Sequence, residues 1–231
     1  MSVFQPRALR CPHCGHTNTE TVALSLHGPR VSEVVAAIRS GTFQSFVCAS
    51  CGGGYRADGP LIYVDFEQKH WIGVFPRDRE RSWALLEQQP LDSFRRALID
   101  YAPPFVRGMS DGFHIRTVFG LDALAEKLTL LEAGVDDRVV EMVKLVAVLT
   151  WGGLLHPGRR PQFVSYHADA GLRLLVPVTS DDGIELRMAT VATEQVAAWS
   201  SDARWHPVVN ELSSGPYVDL GRLLLDGRVP L

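Results

Sequence analysis

All four cysteines of this 231-residue chain fall in two C-x-x-C pairs, Cys11–Cys14 in RCPHCGH and Cys48–Cys51 in VCASCGGGY, and glycine follows each pair. No other feature constrains the fold as tightly. In a tight knuckle, residues i and i+3 aim both sulfurs at one point. The glycine that follows lets the backbone turn its N–H groups toward the thiolates. Two such knuckles supply four thiolates at the corners of a tetrahedron, the ligand set of a single structural zinc ion. The interval of 33 residues between the pairs is longer than the commonest spacing of roughly 15–20. Local structure accounts for the excess. A strand is expected over 19–26, then a short helix in SEVVAAIRSG with Ser32 as N-cap and Gly41 beyond its end, then a strand through Phe43, Phe46 and Val47.

Other readings of the cysteines are weaker. A dithiol redox pair opens a helix, whereas here glycine follows both pairs. Iron in a rubredoxin-like site uses the same knuckles, and the ligands alone leave that reading open. A catalytic zinc ion keeps one position for water, and four cysteines fill the shell, so the expected role is structural. His13 or His16 could compete as a ligand, but the favoured place for both, with Arg10 and Arg56, is around the shell, where they would offset thiolate charge.

Composition sets the compartment and excludes several classes. The N-terminus MSVFQPRALR lacks the apolar core of a signal peptide. The most apolar stretch, 139–151, is interrupted by Glu141 and Lys144 and is shorter than the roughly 20 residues of a bilayer span. A cytoplasmic protein with reduced thiols is expected, with no membrane partner. The net charge is -3. Residues 1–60 carry five basic and three acidic side chains, against 18 and 23 in the rest, so no nucleic-acid footprint stands out.

The pattern predicts an α+β protein in two parts. Residues 1–78 form a zinc-ribbon-like β module with one short helix and a β-hairpin in GPLIYVDFEQKHWIGVFP, with Ile62, Val64 and Phe66 on one face and 71–75 returning to Pro76. Residues 79–231 form an α+β domain, with helices over about 80–150 and strands over about 161–191. Helical turns are expected at 83–86 and 94–99, broken by Pro90 and closed by Pro103-Pro104, followed by a short strand at 114–119. Leu121, Leu124, Leu128 and Leu131 share a helix face, with Gly134 as its stop. Asp136 and Asp137 suit the start of a second helix, to about Thr150, apolar on nearly every side and therefore central. PQFVSYHA, GLRLLVPV and IELRMATV, separated by ADAG and TSDDG, predict an antiparallel meander. Thr193 is expected to cap a helix to Trp199, and 217–225 reads equally as strand or helix.

RCPHCGH, FVCASCG and PLIYVDFEQKHWIGVFP closely resemble bacterial CpXC-domain proteins, a family whose function is uncharacterised, and RTVFGLDALAEKLTLLEAGVDDRVVEMVKL resembles the helical segment that follows that domain. The second knuckle, CASC, lacks the proline of the first, which is not a ligand. The resemblance implies a zinc site at Cys11, Cys14, Cys48 and Cys51, and it brings no activity with it.

Tyr63, Asp65, Glu67 and Lys69, with His70, offer one candidate polar site, set against the plain reading of an exposed hairpin face. Asp136, Asp137, Arg138, Glu141 and Lys144 form a second charged cluster, which capping and an i, i+3 ion pair explain. His167 and His206 have no triad or metal spacing. No G-x-S-x-G, P-loop, Rossmann fingerprint or H-E-x-x-H occurs. The favoured reading is a protein–protein interaction or adaptor module and not an enzyme. A nucleic-acid-binding ribbon and an enzyme using the hairpin carboxylates are the alternatives, and self-association stays open.

Overall fold

Short alternating strands joined by turns build the first part of the chain, as a computed structural model shows; it describes residues 2–153, 155–180 and 183–227. Strands β1 (Val3–Arg10) and β2 (Thr17–His27) form an antiparallel hairpin across the first knuckle. Helix α1 (Ser32–Arg39) follows. Val31 occupies the cap position and no side chain caps the helix, so Ser32 is its first residue and not the expected cap. Strands β3 (Ser45–Val47) and β4 (Gly54–Arg56) make a second small hairpin across the other knuckle.

β5 (Leu61–Asp65) and β6 (His70–Phe75) then pair, with Asp65 opposite His70. The Asp65 carboxylate accepts the N–H groups of Glu67 and Gln68, both at 2.9 Å, which fixes the turn. Helices α2 (Trp83–Leu86), α3 (Gln89–Arg95, with Pro90 in its first turn) and α4 (Pro104–Arg107) lead to β7 (His114–Phe119), with a π-helical turn at Arg96–Asp100. Pro90 thus starts a helix rather than breaking one.

The main sheet of this part is mixed, in the order β1-β2-β5-β6-β7, with β2/β5 and β6/β7 parallel. The β5–β6 hairpin is therefore central. Its strands are buried on both faces, which overturns the expectation of a solvated hairpin face. Val64, Trp71, Phe94 and Leu98 form a core cluster on this sheet.

α5 (Leu121–Glu132) and α6 (Asp137–Trp151) come next. Asp136 caps α6 by accepting the N–H of Arg138 at 2.9 Å. Every residue of 141–148 is buried, Glu141 and Lys144 included. β8 (Gln162–His167), β9 (Gly171–Ser180) and β10 (Gly183–Val191) form the predicted antiparallel meander, in the order β10-β9-β8. Asp181 and Asp182 of the predicted TSDDG turn lie outside the described residues. α7 (Thr193–Ser201), α8 (His206–Leu212) and α9 (Gly221–Leu225) complete the chain, so 217–225 holds a helix. Thr193 does not cap α7; its hydroxyl donates to the Ala168 carbonyl at 3.1 Å.

One side of α6 packs Val143, Val146 and Ala147 with Leu172, Leu174 and Val176 of β9. Leu145 instead joins Val208, Leu212, Leu220 and Leu223. This is why the helix is apolar nearly all round. The protein is α+β, and it divides into two compact units, Met1–Ala125 and Glu126–Leu231. Among the described residues no helix is long and apolar enough to cross a membrane.

Candidate metal centre

The two knuckles are built alike. After β1, the Cys11 N–H donates to the His16 carbonyl at 2.8 Å, and the Gly15 N–H to the Cys11 carbonyl at 2.9 Å. After β3, the Cys48 N–H donates to the Gly53 carbonyl at 3.0 Å, and the Gly52 N–H to the Cys48 carbonyl at 2.9 Å. Gly15 and Gly52 turn the chain with φ of +77° and +69°, a region costly for residues with a Cβ. Each turn thereby brings its two sulfurs to one side.

The sulfurs of all four cysteines lie within 4.8 Å of one another. Cys11 Sγ stands 3.8 Å from Cys51 Sγ, and Cys14 Sγ 3.7 Å from Cys48 Sγ. Metal–sulfur bonds of about 2.3 Å at tetrahedral angles put sulfurs about 3.8 Å apart. The four cysteines are thus placed to hold one metal ion, with one sulfur at each corner. All four are free of disulfides; Cys11 and Cys48 are buried, and Cys14 and Cys51 reach the surface.

The surrounding groups favour thiolate at some corners and oppose it at others. The Cys48 thiol is drawn down to about 6, first by the backbone N–H of Cys51 and then by the side-chain amide of Asn18. At Cys51 the backbone N–H of Gly53 acts downward, but the neighbouring thiol of Cys14, then burial and the other thiols, carry it up to about 11. Without a cation, four sulfurs this close resist sharing four negative charges, so binding a metal must release protons.

Asn18 was not foreseen from sequence. Buried in β2, it donates its amide to Cys48 Sγ at 3.5 Å, while its oxygen accepts the Ala49 N–H at 3.1 Å. It ties one knuckle to the strand that follows the other. His13 stays outside the sulfur cluster, with Nε2 2.9 Å from the Gly54 carbonyl, and His16 is exposed. Arg10 reaches the Gly15 carbonyl at 3.3 Å. Arg56 does not serve the thiolates as expected. Its guanidinium pairs with Asp122 at 2.7 Å.

A family comparison matches the CpXC protein model to residues 9–144, more than half of the chain. The chain belongs to the CpXC family. A search of curated proteins found no match, and neither did a search of solved structures. The match spans both knuckles of this CpXC protein and extends through α5 into α6.

The candidate hairpin residues of this CpXC protein differ in exposure. Tyr63 and Asp65 are buried, while Glu67 is exposed. Burial, then the neighbouring Asp65, pushes the Tyr63 hydroxyl up to about 12. Both backbone bonds of the Asp65 carboxylate serve its own turn. Lys69 points its ammonium at the Met109 carbonyl, 3.0 Å away, and over the Phe113 ring.

The second charged cluster is larger than the sequence suggested. Lys144 Nζ lies 2.6 Å from Glu141 and 2.5 Å from Glu126. The remaining Glu141 oxygen accepts the Leu220 N–H at 2.9 Å. Lys127 pairs with Asp137 at 2.8 Å and donates to the Val218 carbonyl, and Arg160 pairs with Asp219 at 3.2 Å. Only the i, i+3 pair was visible in sequence. Burial pushes Glu141 up to about 7. Burial also opposes charge on Lys144, but Glu126 and Glu141 outweigh it and hold the ammonium above the ordinary lysine range.

Proposed function

We propose that Cys11, Cys14, Cys48 and Cys51 hold one zinc ion as a structural clamp, and that this CpXC protein works in the cytoplasm as a protein–protein interaction module. The observation that carries the reading is the closed cluster of four sulfurs, all within 4.8 Å of one another and with two edges of 3.7 and 3.8 Å, a spacing that suits a tetrahedral thiolate site with no corner left for substrate or water. The ion's contribution is to fix two hairpins that have little core between them. Such sites contribute on the order of 10–16 kcal/mol to folding of small motifs, comparable with a domain's whole stability. Four reduced thiols suit a reducing compartment.

The adaptor reading rests on what surrounds the clamp. The hairpin carboxylate that is buried, Asp65, is committed to its own turn. Exposed aromatic residues are present instead: Tyr101 and Phe105 are 83% and 77% exposed, which suits docking more than catalysis.

Elemental analysis of the purified protein is expected to give one zinc per chain. Cys14→Ser should lose the metal and leave an N-terminal region open to protease; a variant with full metal content and a native melt would overturn the clamp. Iron in place of zinc would show as the visible thiolate–iron absorption that zinc lacks. For the adaptor role, a stoichiometric partner captured from the native host should be lost with Tyr101→Ser/Phe105→Ser. A salt-sensitive nucleic-acid shift with no such partner would replace it with the ribbon reading.

A further inference from the structure

β10 is the edge of the three-stranded sheet, and among the described residues nothing but β9 pairs with it. Edge strands are usually protected by proline, charged side chains or a bulge, and charges of one sign also repel a second copy. The outer strand β1 has such protection, with Pro6, Arg7, Arg10 and a register break at Val3/Phe4. β10 has no proline and no register break, and its two central charges are of opposite sign; its middle reads Ile184-Glu185-Leu186-Arg187-Met188.

The faces of β10 are also unusual. Ile184, Leu186 and Met188 alternate onto one face and are 42%, 58% and 47% exposed. They lie opposite Thr179, Pro177 and Leu175 of β9, on the side away from the core residues Leu172, Leu174 and Val176. Glu185 and Arg187 occupy the other face, where the Arg187 Nε donates to Glu185 at 2.7 Å.

The register shows which backbone groups are free. Leu186 faces Pro177, whose nitrogen carries no hydrogen, so the two cannot exchange bonds. The Pro177 carbonyl oxygen also stands 3.3 Å from where a Cβ on Gly153 would lie, which points it off the β10 ladder. The N–H and C=O of Leu186 therefore face the open edge, as do those of Ile184 and Met188 two residues away.

We propose that β10 pairs antiparallel with β10 of a second copy of this chain, about a two-fold axis through Leu186. The segment is self-complementary in that register. Leu186 meets Leu186 on the axis, and Ile184 meets Met188, in pairs that exchange backbone bonds. Glu185 meets Arg187 twice, at the non-bonded positions where side chains approach most closely. The charges that pair within one strand become cross-strand pairs, and the apolar face continues across a six-stranded sheet. A neighbouring register opposes like residues at the charged positions or places charge against apolar side chains, so the pattern selects one alignment.

Light scattering on the full-length zinc-loaded protein should give twice the 25.5 kDa of the chain. Glu185→Arg and Arg187→Glu, each alone, set like charges opposite and should halve the mass at the same concentration. Mixed together, they restore both pairs and should return to the doubled mass as a heterodimer. Leu186→Pro removes an edge N–H that β9 does not use, and should give a folded monomer by circular dichroism. A wild-type chain that stays monomeric at its highest attainable concentration overturns the proposal. So does a dimer that survives both charge reversals, or a mixture that fails to reassociate.

Discussion

A Cβ on Gly52 would meet nothing within 4 Å, so the cost of a side chain there is that of the backbone alone. For the left-handed region that cost is about 1–2 kcal/mol. Gly52→Ala is thus expected to fold and to bind zinc about tenfold more weakly, read by competition with a chromophoric chelator. Asn18→Ala removes a bond to a ligand sulfur and a tie to the opposite knuckle. Losses at such supporting groups run about 10–100-fold in metal affinity, and the same competition assay checks this one. The contrast shows how legible the centre was at this scale. The four ligands are marked by local spacing, i to i+3, which survives in any sequence written out as letters. Asn18 lies 30 residues from the sulfur it touches, and nothing near it in sequence signals the contact.

Elements were legible where one period dominated. β7 appears at the residues expected, and α6 is central because its apolar residues surround it. β1 was not anticipated, because Pro6 and an exposed pattern hide its strand character, and an edge position tolerates both. The β5–β6 hairpin was recognised, but its place in the middle of a mixed sheet depends on parallel neighbours far along the chain. The ion network escaped for the same reason, since it joins residue 126 to residue 219. Removing one partner of a buried pair costs about 3–5 kcal/mol because the other charge stays buried. Lys144→Ala, which strands Glu126 and Glu141 together, should lower the unfolding free energy of its unit by that amount, read from the shift of its denaturant midpoint at unchanged slope. The pH dependence has a definite sign. Glu141 in the folded state titrates near 7, above its ordinary 4.5, so its contribution is full below the lower value and is lost as pH rises through the upper. Melting temperature should fall across that window and level off above it, and Glu141→Gln should remove the slope.

For the molecule as a whole, the two units rest on different supports. The first has its four-cysteine cluster at one end of a mixed sheet, and the second has α6 between a meander and short helices. Chelation should therefore speed hydrogen exchange around both knuckles while α6 keeps its protection, as peptide-resolved mass spectrometry would report. Loss of protection in α6 at equal chelator would show that the second unit also depends on the metal. Lys144 and Glu141 have a further consequence, in the order of synthesis. Leu220, which gives its N–H to Glu141, is made 79 residues after it. A nascent chain that has just released α6 holds an acid without that donor, and hydration must serve until it arrives. The pulling force of folding on a stalled ribosome should therefore rise only when 217–222 emerges, not when α6 does. Such a delay would make the charges at the centre of that helix a timer, keeping it hydrated until the segment that receives it has been made.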